Sequence, residues 1–236
     1  MSNLFQTQDG SHSIFSEQFG VSYHSKYGAI QETQHVFIDA ALRYKALLQK
    51  EISILDIGFG TGLNAYMTLL EAIDKGLSID YTSYEAFPIS LSQAQLLNYP
   101  TLLSVPHLAE PFLTLHKSAW NEVIAIHQNF RFQKCLQNFE TINAQAAYDI
   151  IYFDAFAPNA QPELWEAPLL TQMYAALKQG GVLVTYCAKG VVKRTLKAVG
   201  FQIEALKGPP GKREMTRAIK EKKSEVRSKN KFFCQK

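Results

Sequence analysis

Ile54-Leu55-Asp56-Ile57 runs without a break into Gly58-Phe59-Gly60-Thr61-Gly62, and a helical stretch follows over about residues 63–72. A short apolar run of this kind reads as a strand buried on both faces, the habit of parallel sheets covered by helices. Glycines at alternate positions let the backbone turn tightly and admit a ligand where a Cβ would collide. Strand, glycine loop and helix in that order specify an α/β unit. Its loop opens at the carboxyl edge of the sheet, where such sheets bind their ligands. The spacing is G-x-G-x-G rather than the G-x-G-x-x-G that cradles a dinucleotide pyrophosphate. No Gly-Lys-Ser/Thr follows, which excludes a P-loop.

A glycine loop without a phosphate signature fits a ligand that carries no phosphate, such as S-adenosylmethionine, although loops built for packing alone look the same. Two more strand ends narrow the choice. Residues 79–84 alternate as a second strand and end in Glu85, placed to accept both hydroxyls of a ribose. The apolar run Tyr148-Asp149-Ile150-Ile151-Tyr152-Phe153 delivers Asp154-Ala155-Phe156-Ala157-Pro158 to the same edge. There Asp154 can accept N–H hydrogen bonds while an aromatic ring and a proline wall a flat substrate. A loop whose Asp merely caps the next helix would read alike; the glycine loop upstream favours the site.

The chain has 236 residues and is 47% hydrophobic, enough for one domain with a real core. No apolar run approaches a membrane span, and the polar amino terminus lacks the form of a signal peptide. Cys135, Cys187 and Cys234 are widely separated, as expected of reduced thiols in a cytoplasmic protein, and the scattered histidines predict no metal centre. Charge is uneven. From Lys212 onward ten Lys/Arg face three Glu, a balance of +7, against −4 for the remainder. Such a basic end suits a phosphate backbone, or else a solvated tail.

The rest reads coarsely. A hairpin over 6–15 should turn at Asp9-Gly10. Residues 34–48 predict an amphipathic helix with Val36, Phe37, Ala40, Ala41, Tyr44 and Leu47 on its apolar side. A helix is expected over 89–98, an irregular insert with short helical pieces over 100–120, and a strand over 130–135. A helix over 168–178 should stop at Gly180-Gly181, before a strand over 182–186. A helix over 191–199 and two strands, 201–206 and 215–219, complete the pattern. The fold class is therefore α/β, a Rossmann-like S-adenosylmethionine-dependent methyltransferase. Its seven-stranded, mostly parallel sheet should have an antiparallel last strand and an added amino-terminal hairpin. The expected divisions are a hairpin and lid segment over 1–45, the methyltransferase domain over 46–220, and a basic, disordered tail over 221–236.

These residues resemble the methyltransferase part of the MnmC family, bacterial tRNA enzymes that complete 5-methylaminomethyl-2-thiouridine at the wobble position. The resemblance spans nearly all of residues 7–219. It rests on Tyr23-His24-Ser25 through Gly28, Glu32-Thr33, His35-Val36-Phe37-Ile38 and the GFGTGLN run from Gly58 to Asn64. It continues in Tyr84-Glu85-Ala86-Phe87-Pro88, in DAFAP with Pro162-Glu163-Leu164-Trp165, and in the GPPGKREM run from Gly208 to Met215. It implies that Gly58, Phe59, Gly60, Thr61, Gly62, Asn64 and Glu85 hold S-adenosylmethionine, with Asp154 beside the transferred methyl as the catalytic group. Relatives usually carry a Gly-Asp pair that reads adenine. Here Gln137-Asn138 stands in its place, so Asn138 would accept the adenine amine.

On the substrate side the resemblance implies that Phe156 and Pro158 bracket the uracil. It brings Tyr23, Tyr27 and Glu32 in from a lid, unless their part is structural. Lys212 and Arg213 would meet anticodon-stem phosphates, or Arg213 would brace the last strand. The expected partner is thus the tRNA anticodon stem-loop. The likeness is to a stand-alone form without the flavin oxidoreductase, so a separate oxidoreductase or aminomethyl-supplying enzyme would act on the same uridine. Two other readings remain: a spermidine-synthase-like aminopropyltransferase, and a non-catalytic tRNA-binding subunit of the same fold.

Overall fold

The computed structural model describes residues 3–221, so the expected basic tail, from residue 222 on, lies outside the described residues. The amino-terminal segment forms a small antiparallel sheet of β1 (Leu4–Gln6), β2 (His12–Ser16) and β3 (Val21–Ser22). Its first hairpin turns at Asp9-Gly10 as the sequence predicts. The Asp9 carboxylate accepts the Ser11 and Gln31 backbone N–H groups at 2.9 and 3.0 Å, which ties the turn to the helix that follows.

That helix is longer and wider than expected. It runs as α1 (Ala29–Thr33), a π-helical stretch (Gln34–Arg43) and α2 (Tyr44–Ala46). Hydrogen bonds of the i→i+5 kind widen each turn. Buried positions recur about every four residues, at Glu32-Thr33, Val36-Phe37-Ile38, Ala41-Leu42 and Lys45. This drift overturns part of the expected apolar face: Leu47 is 84% exposed, and Lys45 is buried with its ammonium on the Gly180 carbonyl at 3.1 Å.

The core is built from β4 (Glu51–Ile57), α3 (Leu63–Lys75), β5 (Ser78–Glu85), α4 (Leu91–Ala94), α5 (Tyr99–Leu102) and α6 (Ala109–Lys117). Then come β6 (Val123–His127), β7 (Phe130–Leu136), β8 (Tyr148–Phe153), α7 (Ala167–Ala176) and β9 (Leu177–Thr185). The last elements are α8 (Gly190–Val199), β10 (Gln202–Lys207) and β11 (Glu214–Ile219). The sheet order is β10-β11-β9-β8-β4-β5-β7-β6. Strands β4, β5, β7, β8 and β9 pair in parallel, and β11 enters antiparallel between β9 and β10. Seven of these strands are the expected ones. The eighth, β6, is an antiparallel edge partner of β7, and its half-exposed residues hide it beside the irregular insert.

Two local expectations fail for visible reasons. Gly180-Gly181 does not stop α7; the pair lies inside β9, where the register against β8 shifts between Tyr148 and Ile150. A Cβ on Gly181 would lie 2.9 Å from the Lys178 carbonyl, so the glycine permits the bulge. The helix expected over 89–98 closes after one turn, started by a Ser90/Gln93 capping box. Asn98 is taken up elsewhere: its carbonyl oxygen accepts the His12 N–H at 2.8 Å and its amide donates to the Gly10 carbonyl at 2.9 Å. These bonds pin the amino-terminal hairpin to the core.

The chain leaves β4 for β5 and β7 on one side and returns to β8 on the other. The topological switch point, where such sheets bind ligands, therefore lies between the carboxyl ends of β4 and β8. Among the described residues no helix is long and apolar enough to cross a membrane, and no group of three or more His, Cys, Asp or Glu could hold a metal.

Candidate active site

Glycine geometry sets the floor of the switch-point crevice. Gly58 has φ +98°, and a Cβ there would lie 3.2 Å from the Asp154 carbonyl oxygen. Only glycine lets the β4 and β8 loops come this close in that conformation. Gly60, at φ +51°, would bring a Cβ to 3.0 Å from the Tyr23 ring. Phe59, Thr61 and Asn64 line the same cavity of about 540 Å³, whereas Gly62 begins α3 and does not reach it.

Glu85 lies at the end of β5, nearly buried. One carboxylate oxygen accepts the Gly60 N–H at 2.8 Å and the other accepts the Phe87 N–H at 2.7 Å. Burial pushes its pKa up and these backbone donors pull it back. Each oxygen keeps a further lone pair for a ligand in the cavity.

Asp154 lines both that cavity and a second one of about 650 Å³, together with Tyr23, His24, Ala155 and Phe156. The Asn64 amide donates to its carboxylate at 2.9 Å, while the Asn64 carbonyl oxygen accepts from the Thr33 hydroxyl at 3.0 Å. Asn64 therefore orients Asp154 as well as facing the first cavity. Desolvation raises the Asp154 pKa well above the usual carboxylate range, and the nearby Glu32 adds to the effect. The Asn64 hydrogen bond and the Lys212 cation oppose it. Beneath lies Asp56, wholly buried, with the Ser83 hydroxyl on one oxygen at 2.8 Å. Burial pushes its pKa up to about 7.

The second cavity holds Glu32 and Lys212 together. The Lys212 ammonium donates to Glu32 at 2.5 Å and lies 3.8 Å from the centre of the Tyr186 ring. The other Glu32 oxygen accepts the Ser25 N–H at 2.9 Å. The sequence expects Lys212 on an RNA phosphate; here its ammonium is paired with a buried carboxylate. Arg213 is exposed, as a phosphate ligand should be.

Other expected contacts also move. Phe156 faces both cavities and packs on Tyr23 at 5.1 Å and Phe19 at 4.8 Å between ring centroids. Pro158 lies in a neighbouring groove instead, so the two do not bracket one base. Tyr27 lines neither cavity; it covers Gly211, where a Cβ would lie 2.1 Å from its ring. Asn138 is exposed at the start of a short 3₁₀ turn, and the next residue, Phe139, faces the first cavity.

The sequence reading missed His24 and Tyr186 as site residues. His24 touches both cavities; its Nδ1 is 3.0 Å from the Ser13 hydroxyl, and burial lowers its pKa to about 4, which keeps the ring neutral. Tyr186 follows β9, and its hydroxyl donates to the Ala155 carbonyl at 2.9 Å. A fourth strand end at the same sheet edge could have marked it. Trp165 of the PELW run fixes the loop from the other side, donating from Nε1 to the Phe156 carbonyl at 2.9 Å.

A doubly flanked parallel sheet, a glycine loop at the switch point and an acidic second-strand end define the S-adenosylmethionine-dependent methyltransferase fold. The family model with that description, S-adenosyl-L-methionine-dependent methyltransferase, matches residues 118–221. The resemblance to the MnmC family is borne out by named relatives. The chain is 31% identical to the tRNA 5-methylaminomethyl-2-thiouridine biosynthesis bifunctional protein MnmC of Marinomonas sp. (strain MWYL1), over 85% of this chain and 31% of that protein. To the protein of the same name from Acinetobacter baylyi it is 30% identical, over 91% of this chain and 37% of that one. It thus spans about a third of the length of these relatives. Crystalline MnmC2 from Aquifex aeolicus superposes with a TM-score of 0.76 at 25% identity, covering 94% of this chain and 71% of that one. Spermidine synthase from Thermotoga maritima, at TM-score 0.51 and 14% identity, shares the fold alone.

Proposed function

We propose that this chain transfers a methyl group from S-adenosylmethionine to the amine of 5-aminomethyl-(2-thio)uridine at a tRNA wobble position, giving 5-methylaminomethyl-(2-thio)uridine. One observation carries the reading: Asp154 is the carboxylate that lines both cavities, so a donor in one and an amine in the other meet at it. The first cavity suits the donor. Its lining includes the carboxylates Glu85 and Asp154 and no Lys or Arg, which fits a cationic, phosphate-free ligand and opposes a dinucleotide. The Glu85 lone pairs would take the ribose hydroxyls, and the Phe59 and Phe139 rings would flank the adenine.

Bound S-adenosylmethionine supplies a methyl carbon made electrophilic by its sulfonium. This chain's residues do the rest. Asn64 and the close approach of Gly58 fix Asp154, so that its carboxylate can accept an N–H from the amine and aim the lone pair at the donor cavity. The raised affinity of Asp154 for a proton suits it to receive the one that the amine loses. Glu32 and Lys212 neutralise one another, leaving Asp154 as the uncompensated charge facing the cation that develops. Phe19, Tyr23 and Phe156 form an aromatic roof against which a base can stack. The amino-terminal segment up to residue 45 would act as a lid over the domain at 46–220.

Asp154→Asn is the direct test, with tritiated methyl donor and tRNA bearing the aminomethyl group. Turnover should fall about a hundred- to ten-thousand-fold while donor affinity stays within about threefold. Normal turnover in the variant would remove Asp154 from the reaction, and no turnover of the aminomethylated tRNA by the wild type would remove the reaction itself.

A further inference from the structure

Beside the amine cavity lies a third hollow, an open groove of about 920 Å³ between the Ala157-Pro158 loop, the end of β9 and the turn leading into β11. It borders the amine cavity, with Ala157, Tyr186 and Lys212 lining both. The substrate read above is a base within a polynucleotide. If the base enters the amine cavity, its sugar and the neighbouring phosphates must leave through an opening. This groove is the opening that shares walls with that cavity.

Its chemistry suits such a strand. The floor is Pro158, Tyr186 and Cys187, apolar and aromatic surface of the kind against which a ribose or a neighbouring base packs. The rim carries Lys189 and Arg213, both exposed. Lys189 donates to the neutral Asn159 side chain at 2.5 Å, so its charge is not cancelled there. Arg213 makes no ion pair among the described residues, nor does the exposed Arg194 one turn into α8. The one acidic side chain at the rim, Glu214, is held by Lys193 at 2.7 Å. What remains is cationic.

Resting on the proposed reaction, we infer that this groove carries the RNA strand flanking the target uridine, with Lys189 and Arg213 on its phosphates and Arg194 on the next. The site is distinct from the amine cavity, where Lys212 is consumed by Glu32. It makes the enzyme's preference for RNA over a free nucleoside a property of this rim.

The test compares wild type with Lys189→Ala/Arg213→Ala in two assays. Binding of a fluorescent anticodon stem-loop is followed from about 50 to about 300 mM salt, where each lost phosphate contact lowers the log–log slope by roughly 0.7 to 0.9. Methyl transfer is measured on aminomethylated tRNA and on free 5-aminomethyluridine. The stem-loop affinity should fall at least about tenfold at the lower salt, the slope should drop by up to about two, and the tRNA-to-nucleoside ratio of kcat/KM should fall by a similar factor. Arg194→Glu should repeat the effect, which guards against a misfolded double variant. An unchanged slope and ratio in both variants overturns the groove while leaving the reaction standing. A wild type that methylates neither substrate, yet binds RNA in a way that follows these charges, overturns the reaction and upholds the groove.

Discussion

Lys212→Met separates a charge-setting role of the Glu32–Lys212 pair from a merely structural one. The substitution keeps most of the side-chain bulk and removes one cation from a cavity that also holds Asp154, Glu32, His24 and Tyr186, with Asp56 beneath. Breaking a buried ion pair costs roughly 3–5 kcal/mol. Here the Lys212 side chain keeps 32% exposure against 9% for Glu32, so the low end, about 3 kcal/mol, applies. For a domain of this size that is a melting temperature lower by about 6–12 °C. The kinetic consequence is separate. Asp154 must be ionised to accept the amine's proton, so activity is lost as pH falls through its pKa. Lys212 holds that pKa down and Glu32 pushes it up. Without the lysine both influences point upward, and the acid limb of the kcat/KM profile moves to higher pH. At a pH on that limb the single variant should be slower than wild type, and it should approach the wild-type rate as pH rises. Lys212→Met/Glu32→Gln removes both charges and should return the limb close to its wild-type position, even if the melting temperature stays low. A limb that does not move in the single variant would refute the reasoning and leave the pair as a strap between the lid segment and the last hairpin.

Much of this site was legible because strand ends carry it. Gly58, Glu85 and Asp154 each follow a recognisable apolar run, and a parallel sheet places such ends side by side at one edge. What could not be read is what long-range contact decides. The partner of Lys212 is 180 residues away in sequence, so composition made it part of a basic end while the fold places it in the cavity beside Asp154. The π-helical turns moved Leu47 outward because the periodicity of the segment fits a wider helix nearly as well as an ordinary one. Gly180-Gly181 looked like a helix stop because a bulge and a helix end ask for the same residue. Asn138 and Phe139 differ by one position in a turn, where no repeat fixes which side chain faces inward.

Two further outcomes follow from the carboxylates. Glu85→Ala should weaken S-adenosylmethionine binding at least tenfold in titration calorimetry, since it removes two charge-assisted acceptors of about 1.5–3 kcal/mol each. Glu85→Gln should be milder, and equal affinity in all three proteins would take Glu85 out of the donor site. Asp56 bears on stability. Its folded pKa of about 7 stands above the ordinary 3.8, so the folded state binds the proton more tightly than the unfolded chain does. Its contribution is fully present below about pH 4, declines as pH rises through the window between these values, and is lost above about pH 7. Asp56→Asn removes the charge that has to be buried, while its carbonyl oxygen can still accept from the Ser83 hydroxyl. The variant should therefore melt within a degree or two of wild type at about pH 4.5 and several degrees higher at about pH 8, a shift of roughly 2–4 °C per kcal/mol. An equal displacement at both pH values would mean that Asp56 has the same pKa in the folded and unfolded states, and that the buried carboxylate carries no pH-dependent cost.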